Sequence, residues 1–203
     1  MTLSTISPLL LATPFAAALL ELTTELLPLI VRVGQCILAF RRGPTTPVSS
    51  HAFERDLQEL LREIGRVIVQ WVYNHLESAD HSPALLHFDG NVYRRRPPSP
   101  RRGGLATLFG IIMVQRIRYE PWDQGIGLSC IFPLEQRLGV VLGKASGALA
   151  DRIGQWTAQY TQETVLTLLR QEHGVDWSVA TLRKVVAELS TAERARREGR
   201  EAL

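Results

Sequence analysis

The residues best placed for chemistry are polar side chains on one short segment near the end of the chain. Apolar residues recur at helical spacing over 179–190, and Ser178 stands just before them, where a serine accepts a hydrogen bond from the first turn. The opposite face presents Thr181, Arg183 and Lys184. A helix of this kind can enter the major groove of DNA and donate to base edges and phosphates. The alternative is an ordinary helical hairpin that contributes to a core.

Arginines form the second group of candidates. The chain carries a formal charge of only +3, so an argument for nucleic acid depends on where the basic residues cluster. Five arginines lie close together and two more follow on a predicted strand: Arg94, Arg95, Arg96, Arg101, Arg102, Arg116 and Arg118. These side chains could contact phosphates in a manner that is independent of sequence and sensitive to salt. A connector kept solvated by its charge explains the same composition.

The remaining polar residues predict neither an enzyme nor a cofactor. The five histidines match no spacing of metal ligands, no glycine-rich loop fits a phosphate cradle, and no serine occupies a nucleophile elbow. Cys36 and Cys130 are too few and too far apart for a disulfide framework or a zinc site built on paired cysteines. We therefore expect a cytoplasmic protein without catalytic residues, metal or cofactor.

The first third of the chain predicts helices. Residues 8–40 are strongly apolar, yet charges and two prolines interrupt them. We therefore favour two buried helices over a membrane-spanning helix for this segment. Residues 43–50 have the composition of a linker. The amphipathic pattern over 52–77 predicts a helix whose apolar stripe packs in a core or against a second copy of the chain.

The middle of the chain predicts a small antiparallel sheet. Asp89-Gly90 is a turn signal beside a short strand at Val92-Tyr93, and 96–104 is too rich in proline and glycine for helix or strand. A second strand is expected over 107–119. Its alternation puts Ile111, Met113, Ile117 and Tyr119 on one face, and Ile112, Val114, Arg116 and Arg118 on the other.

Three helices are expected after the sheet, at 145–157, 161–172 and 179–190, with His173-Gly174 ending the second. The predicted fold is mainly α with a small antiparallel β-hairpin or sheet in the middle and a C-terminal helix-turn-helix. Its parts are an apolar helical segment (1–42), an amphipathic helix (50–78), a small β element with an arginine-rich loop (85–140), a helical module (145–190) and a charged tail (191–203).

Several short motifs occur in an order that resembles the N-terminal region of bacterial insertion-sequence transposases of the Kra group and its relatives. They are Thr107-Leu108-Phe109-Gly110, then Val114, Arg116, Arg118 and Tyr119, then Phe132-Pro133-Leu134-Glu135 and Leu138-Gly139, then helices containing Ser178-Val-Ala-Thr-Leu-Arg183. The resemblance covers roughly 85–190. It implies DNA binding through a helix-turn-helix, followed in that family by an RNase H-like domain that carries an acidic triad.

Two departures limit what the resemblance implies. Family members often carry paired, zinc-binding cysteines between the tyrosine and the Pro-Leu-Glu element, whereas 120–130 contains Cys130 alone. The chain reaches Leu203 where the catalytic domain would begin, so none of the family's catalytic acids can be assigned here. We expect a transposase-derived DNA-binding fragment, the product of a truncated or degenerate gene or the first part of a frameshifted pair. The alternative is a structural or interaction protein that forms a homodimer or, less favoured, docks on a membrane through its apolar helices.

Overall fold

The computed structural model describes residues 14–77, 82–100, 103–122 and 128–201, and within them the fold is mainly helical with small antiparallel sheets. The helices are α1 (Pro14–Arg42), α2 (Pro47–His75), α3 (Pro133–Arg137), α4 (Gly147–Thr157), α5 (Gln162–His173) and α6 (Val179–Glu201). The strands are β1 (Leu85–Phe88), β2 (Asn91–Arg95), β3 (Ser99–Pro100), β4 (Leu105–Thr107), β5 (Gly110–Ile112), β6 (Gln115–Arg116) and β7 (Tyr119–Pro121). The chain forms two compact units that divide between Trp71 and Val72. No described helix combines the length and apolar character needed to cross a membrane.

The apolar start of the chain forms one long helix, so the prediction of two helices within 8–40 was wrong. Helix α1 runs without a break from Pro14 to Arg42 and contains Pro28 in its interior. A proline there removes one backbone hydrogen bond and costs about 3 kcal/mol. The leucines and alanines on either side are strong helix formers, and their summed preference keeps the helix continuous through Pro28.

The prediction that this segment is buried was also wrong. Over 16–42, the part of α1 whose side chains the structure describes, Leu29 is the residue in the buried class, with 8% of its surface exposed. Several large apolar side chains of the helix are about half exposed: Leu19, Leu20, Leu27, Ile30, Val31, Ile37 and Leu38. Residue composition cannot distinguish a helix surrounded by protein from one covered on a single side, which explains the error.

The predicted linker 43–50 is shorter than expected because α2 already begins at Pro47. Proline is favoured in the first helical turn, where its missing N–H is not needed. Thr46 and Ser49 cap this end reciprocally, since the Ser49 N–H donates to Thr46 Oγ1 (3.1 Å) and the Thr46 N–H donates to Ser49 Oγ (2.9 Å). The proline and threonine composition that suggested a linker therefore marks the start of a capped helix.

The largest sheet has three antiparallel strands in the order β1-β2-β7. Asp89 and Gly90 connect β1 to β2 with positive φ angles of 48° and 74°, which confirms the turn expected at this position. Pairing of Tyr93 with Pro121 and of Arg95 with Tyr119 sets the register between β2 and β7. One side of this sheet buries Tyr93, Ile117, Tyr119 and Ile131 together.

The predicted strand over 107–119 is broken into β5, β6 and β7, and its alternation changes phase. The prediction put Ile111, Met113, Ile117 and Tyr119 on one face, but Ile117 and Tyr119 are buried while Ile111 and Met113 are exposed. On the preceding stretch Ile112 and Val114 are the buried residues instead. The break follows from side chains that replace strand partners. Asn74 bonds both the Met113 carbonyl (3.2 Å) and the Gln115 N–H (2.7 Å). These bonds interrupt the ladder and let the chain rotate between the two buried pairs.

The connector 96–104 was expected to contain no strand, and this prediction was also wrong. Ser99 and Pro100 form β3 and pair with Arg116 and Gln115 of β6. This short pair tolerates a proline because an edge strand leaves some of its N–H positions unpaired. The predicted phosphate contacts Arg101 and Arg102 lie outside the described residues.

Helices α4, α5 and α6 share one buried core and lie close to the three helices predicted at 145–157, 161–172 and 179–190. Leu149 and Ile153 of α4, Val165 and Leu169 of α5, and Leu182 and Val185 of α6 are all fully buried. Ser146 caps α4 by accepting from the Leu149 N–H, so the helix starts two residues later than predicted. Helix α6 runs on through most of the predicted tail 191–203, ending at Glu201.

The β4–β5 hairpin packs against this helical core. Ala106 and Ala145 form a parallel bridge, with the Ala106 N–H donating to the Lys144 carbonyl (3.0 Å) and the Ser146 N–H donating to the Ala106 carbonyl (2.8 Å). His173, at the end of α5, is only 6% exposed and places Nδ1 2.7 Å from the Leu108 carbonyl. Because a carbonyl only accepts, Nδ1 carries the proton in this contact.

We expect His173→Ala to lower the free energy of unfolding by about 2 to 4 kcal/mol, because it leaves the Leu108 carbonyl without its partner and opens a void beside the Trp156 ring. Urea denaturation followed by circular dichroism measures the change. Thr167→Ala, at an exposed position of the same helix, is the matched control and should change stability by less than about 0.5 kcal/mol. Equal stability of the two variants would contradict the structural role of His173.

Candidate nucleic-acid interface

The turn between α5 and α6 is held by backbone and side-chain caps. Gly174 adopts a left-handed conformation (φ 62°) and the Val175 N–H donates to the Leu169 carbonyl (3.0 Å), which closes the end of α5. Ser178 then accepts from the Thr181 N–H (3.2 Å), as expected for the residue before a helix. Five residues, 174–178, connect the helices, and buried Val175 anchors them to the core.

The exposed side of α6 carries two of the predicted contact residues. Arg183 and Lys184 are exposed, and the small residues Ala180 and Ala187 are exposed one turn before and after them. Arg183 Nε donates to the Gln162 side-chain oxygen at the start of α5 (3.0 Å), which holds the guanidinium at the junction of the two helices. Small neighbours leave both basic side chains accessible to a flat or grooved surface.

The side chains of Ser178 and Thr181 are less free to contact DNA than their positions in the sequence suggested. The Ser178 hydroxyl lies 3.1 Å from the Thr181 hydroxyl and already caps the helix, while Thr181 is half-buried. Their contact with DNA stays a prediction, and the structure gives both residues a role in starting α6. Arg170, which occupies a position where a small residue is usual in a helix-turn-helix, pairs with Asp176 in the connecting turn (2.7 Å).

Strand β2 directs its two arginines to opposite faces of the three-stranded sheet. Arg94 is exposed, and its guanidinium carbon lies 5.9 Å from the centre of the Trp122 ring. Arg95 is half-buried and donates to the Ser82 carbonyl, so it ties the strand to the segment that enters the sheet. Of this pair, Arg94 is the one that faces outward.

Arg96 and Arg118 meet at a single carboxylate. Both guanidinium groups form ion pairs with Glu120, one to each oxygen, and roughly half of each arginine side chain stays exposed. The hydrogen bond from Arg96, aided by Arg118, lowers the pKa of the Glu120 carboxyl below its usual value. Two positive charges are thus fixed around one negative charge, which leaves the cluster with a net positive charge.

Arg116 makes the most internal contacts of the predicted phosphate ligands. Its guanidinium stacks 3.7 Å above the Phe132 ring centre and pairs with Glu135, and only 19% of the side chain is exposed. Its Nε is buried without a hydrogen-bond partner within the described part of the chain. These contacts connect β6 to the start of α3, and the phosphate contact predicted for Arg116 would have to compete with its ion pair to Glu135.

Two grooves run along the basic side of the sheet. The first encloses about 630 Å³ and is lined by Arg94, Arg96, Glu120, Pro121, Trp122, Leu128 and Cys130. The second encloses about 870 Å³ and is lined by Arg96, Pro97, Ser99, Pro100, Arg116, Arg118, Glu120 and Phe132. Because both include Arg96 and Glu120, they adjoin at this ion pair.

Trp122 is the site residue that sequence reasoning missed. It is 57% exposed and directly follows β7. Its backbone N–H donates to the Val92 carbonyl (2.8 Å). The sequence did contain one indication of its place, since Trp122 stands two residues after Glu120 and alternation along a strand would put both side chains on one face. Without the pairing of β7 with β2, however, nothing in the sequence places this indole beside Arg94.

No metal centre is formed by the described residues, since none of their histidines, cysteines and carboxylates gather in groups of three suited to a metal ion. Cys36 and Cys130 are free thiols. Comparison of the chain with known protein families, with curated proteins and with solved structures finds no match in any of the three. The candidate interface therefore depends on its own geometry and charge.

The ion pairs of Glu120 predict a stability change in acid. Since folding lowers the pKa of Glu120, its stabilising effect is present above the ordinary value of 4.5 and is lost as the pH falls through the lower folded value. Thermal melting recorded between about pH 6 and pH 3 should therefore show a smaller loss for Glu120→Gln than for the wild type. Glu188→Gln, at an exposed position of α6, is the control and should lose stability with falling pH as the wild type does. Identical curves for wild type and Glu120→Gln would contradict the assignment.

Proposed function

We propose that this chain binds duplex DNA and that α6 is the element that contacts it. The observation that carries the proposal is the exposure of Arg183 and Lys184 on a capped helix whose Leu182 and Val185 are fully buried in the core formed with α4 and α5. A helix fixed in this way can enter a major groove without ordering new backbone. Arg183 supplies several N–H donors in a plane, and Lys184 supplies a mobile positive charge for a phosphate.

The arginines of the sheet support the same function by a different route. Arg94, Arg96 and Arg118 are exposed and positively charged, and contacts from such residues to phosphates add affinity without sequence preference. The order of its motifs resembles that of insertion-sequence transposases, which suggests transposon DNA as the duplex. We propose that the chain is a transposase-derived DNA-binding protein in which α5 and α6 act as a helix-turn-helix.

Salt dependence tests the role of α6. The purified chain should bind a mixed-sequence duplex, and the affinity should fall steeply as salt rises because counterions are released from neutralised phosphates. Replacing Arg183 and Lys184 together by alanine should weaken binding and reduce the slope of log K against log salt by about 2 if both contact phosphate. Fluorescence anisotropy over a salt series measures both quantities.

The matched control for this test is Arg55→Ala, an exposed arginine of α2. It should leave the affinity and the slope for duplex DNA unchanged. Absence of binding by the wild type at low salt would overturn the proposed function. Binding that is retained in full by the double variant would remove α6 from the interface.

A specific observation favours interaction through the first unit as the second candidate function. The seven half-exposed apolar residues of α1 fall within an arc of about 120° on the helix surface. Gly34 lies inside this arc, and a Cβ at that position would meet nothing within 4 Å. Roughly 600 Å² of apolar surface per chain is available, so two copies would reach the lower range of specific interfaces. We propose a homodimer that pairs α1 with α1.

Charge placed inside this arc should separate such a dimer. Ile30→Glu should shift the mass measured by light scattering from two chains to one, because an unpaired carboxylate cannot be buried without a large cost. Gln35→Glu adds the same charge outside the arc and should leave the dimer intact. A monomeric wild type at all concentrations would overturn the proposal, and binding to anionic vesicles that Ile30→Glu abolishes would assign the arc to a membrane surface instead.

A further inference from the structure

The outward side of the three-stranded sheet carries residues that the duplex-binding helix does not use. Strand register puts Leu85, Arg94 and Glu120 side by side, and His87 opposite Val92. Trp122 extends the same face, since it stands two residues after Glu120 and bonds the Val92 backbone. We call this set, together with Arg96 and Arg118, the outer sheet face. The other side of the sheet contains the buried residues Tyr93, Ile117 and Tyr119.

The backbone of Trp122 is tied to β2 although its ring is open to solvent. The backbone hydrogen bond to Val92 fixes the position of the residue, and Arg94 lies near one side of the indole. Two clefts adjoin the ring, the basic groove of about 630 Å³ and a smaller one of about 280 Å³ lined by Leu85, Gly90, Asn91 and Val92. An exposed tryptophan between two clefts presents a flat apolar surface on which a planar ring can stack.

The charges around the indole favour a polyanion. Among the described residues of the outer sheet face, Arg94, Arg96 and Arg118 outnumber the carboxylate of Glu120, with which two of them pair. The shared carboxylate holds Arg96 and Arg118 in fixed positions and uses only part of the five N–H donors that each guanidinium provides. The remaining donors point to a ligand with several acceptor oxygens. Planar rings joined by phosphates combine both requirements.

We propose that the outer sheet face binds single-stranded DNA, with an unpaired base stacked on Trp122 and the flanking phosphates at Arg94, Arg96 and Arg118. A duplex cannot use the indole, because its base faces are covered by neighbouring pairs, whereas the bases of a single strand are free to stack on aromatic side chains. The choice of DNA over RNA rests on the proposed function, while the stacking site rests on the sheet alone.

The experiment compares labelled oligonucleotides of about 12 nucleotides, of DNA and of RNA, with an abasic DNA and a duplex, at about 50 mM salt by fluorescence anisotropy. Trp122→Ala and Trp122→Leu should weaken binding of the DNA strand roughly tenfold, whereas Trp122→Phe should stay within about threefold of the wild type. The abasic strand should bind the wild type no more tightly than it binds Trp122→Ala. Duplex binding should be the same in all of these variants.

Tyr160→Ala is the matched control, because it removes a half-exposed aromatic ring at the end of α4, away from the sheet in sequence. It should bind the DNA strand as the wild type does. Equal binding by Trp122→Ala and wild type would overturn the stacking site, as would an abasic strand that binds as well as the intact one. Tighter binding of the RNA strand would overturn the assignment to DNA.

The same measurements distinguish a failure of the proposed duplex binding by α6 from a failure of the single-strand site at Trp122. If the wild type does not bind duplex but binds the single strand through Trp122, the role of α6 is wrong and the outer sheet face is supported. If duplex binding depends on Arg183 and Lys184 while no Trp122 variant changes any affinity, the reverse holds. Circular dichroism of each variant confirms that the lost binding does not come from unfolding.

Discussion

The hydrogen bond between His173 and the Leu108 carbonyl is the contact on which the arrangement of the second unit depends. It joins the last turn of α5 to the turn of the β4–β5 hairpin, two places separated by 65 residues. A carbonyl buried in that turn needs a donor, and the imidazole supplies it while its ring lies against Trp156. The helical core and the β4–β5 hairpin therefore pack as one body, which holds exposed Arg183, while the three-stranded sheet that carries Arg94 packs on its own buried cluster.

The sequence predicted the parts whose determinants are local. Gly174 and Ser178 mark the two ends of the α5–α6 turn through their own backbone and side-chain preferences, and Asp89-Gly90 does the same for the β1–β2 turn. The broken strand over 107–119 could not be predicted, because its change of phase depends on Asn74, which is about 40 residues away. Local patterns determine where elements begin and end, whereas partners distant in sequence determine which faces are covered.

The residues that resemble transposase motifs have clear structural roles in this chain. Buried Thr107 accepts from the Phe109 N–H (3.1 Å) and donates to the Gly110 carbonyl (2.8 Å), so it shapes the hairpin turn that His173 reaches. Arg116 stacks on Phe132 and pairs with Glu135, which joins two of the motifs to each other. Contacts of this kind give Thr107 and Arg116 structural roles, whereas Arg118 and Arg183, which belong to the same set of motifs, are exposed and are among the proposed DNA contacts.

The exposed arginines differ in how much freedom they retain, and this difference decides what each can bind. Arg96 and Arg118 are oriented by Glu120, and Arg183 by Gln162, so a ligand meets donors whose side-chain entropy is already lost. Arg116 has less freedom than these arginines, because Glu135 pairs with its charge and the Phe132 ring covers one face of its guanidinium group. A phosphate at Arg116 would have to displace an internal ion pair, whereas a phosphate at the outer sheet face adds contacts to arginines that keep unused donors. This asymmetry favours Arg94, Arg96 and Arg118 over Arg116 for the proposed contacts with a nucleic-acid backbone.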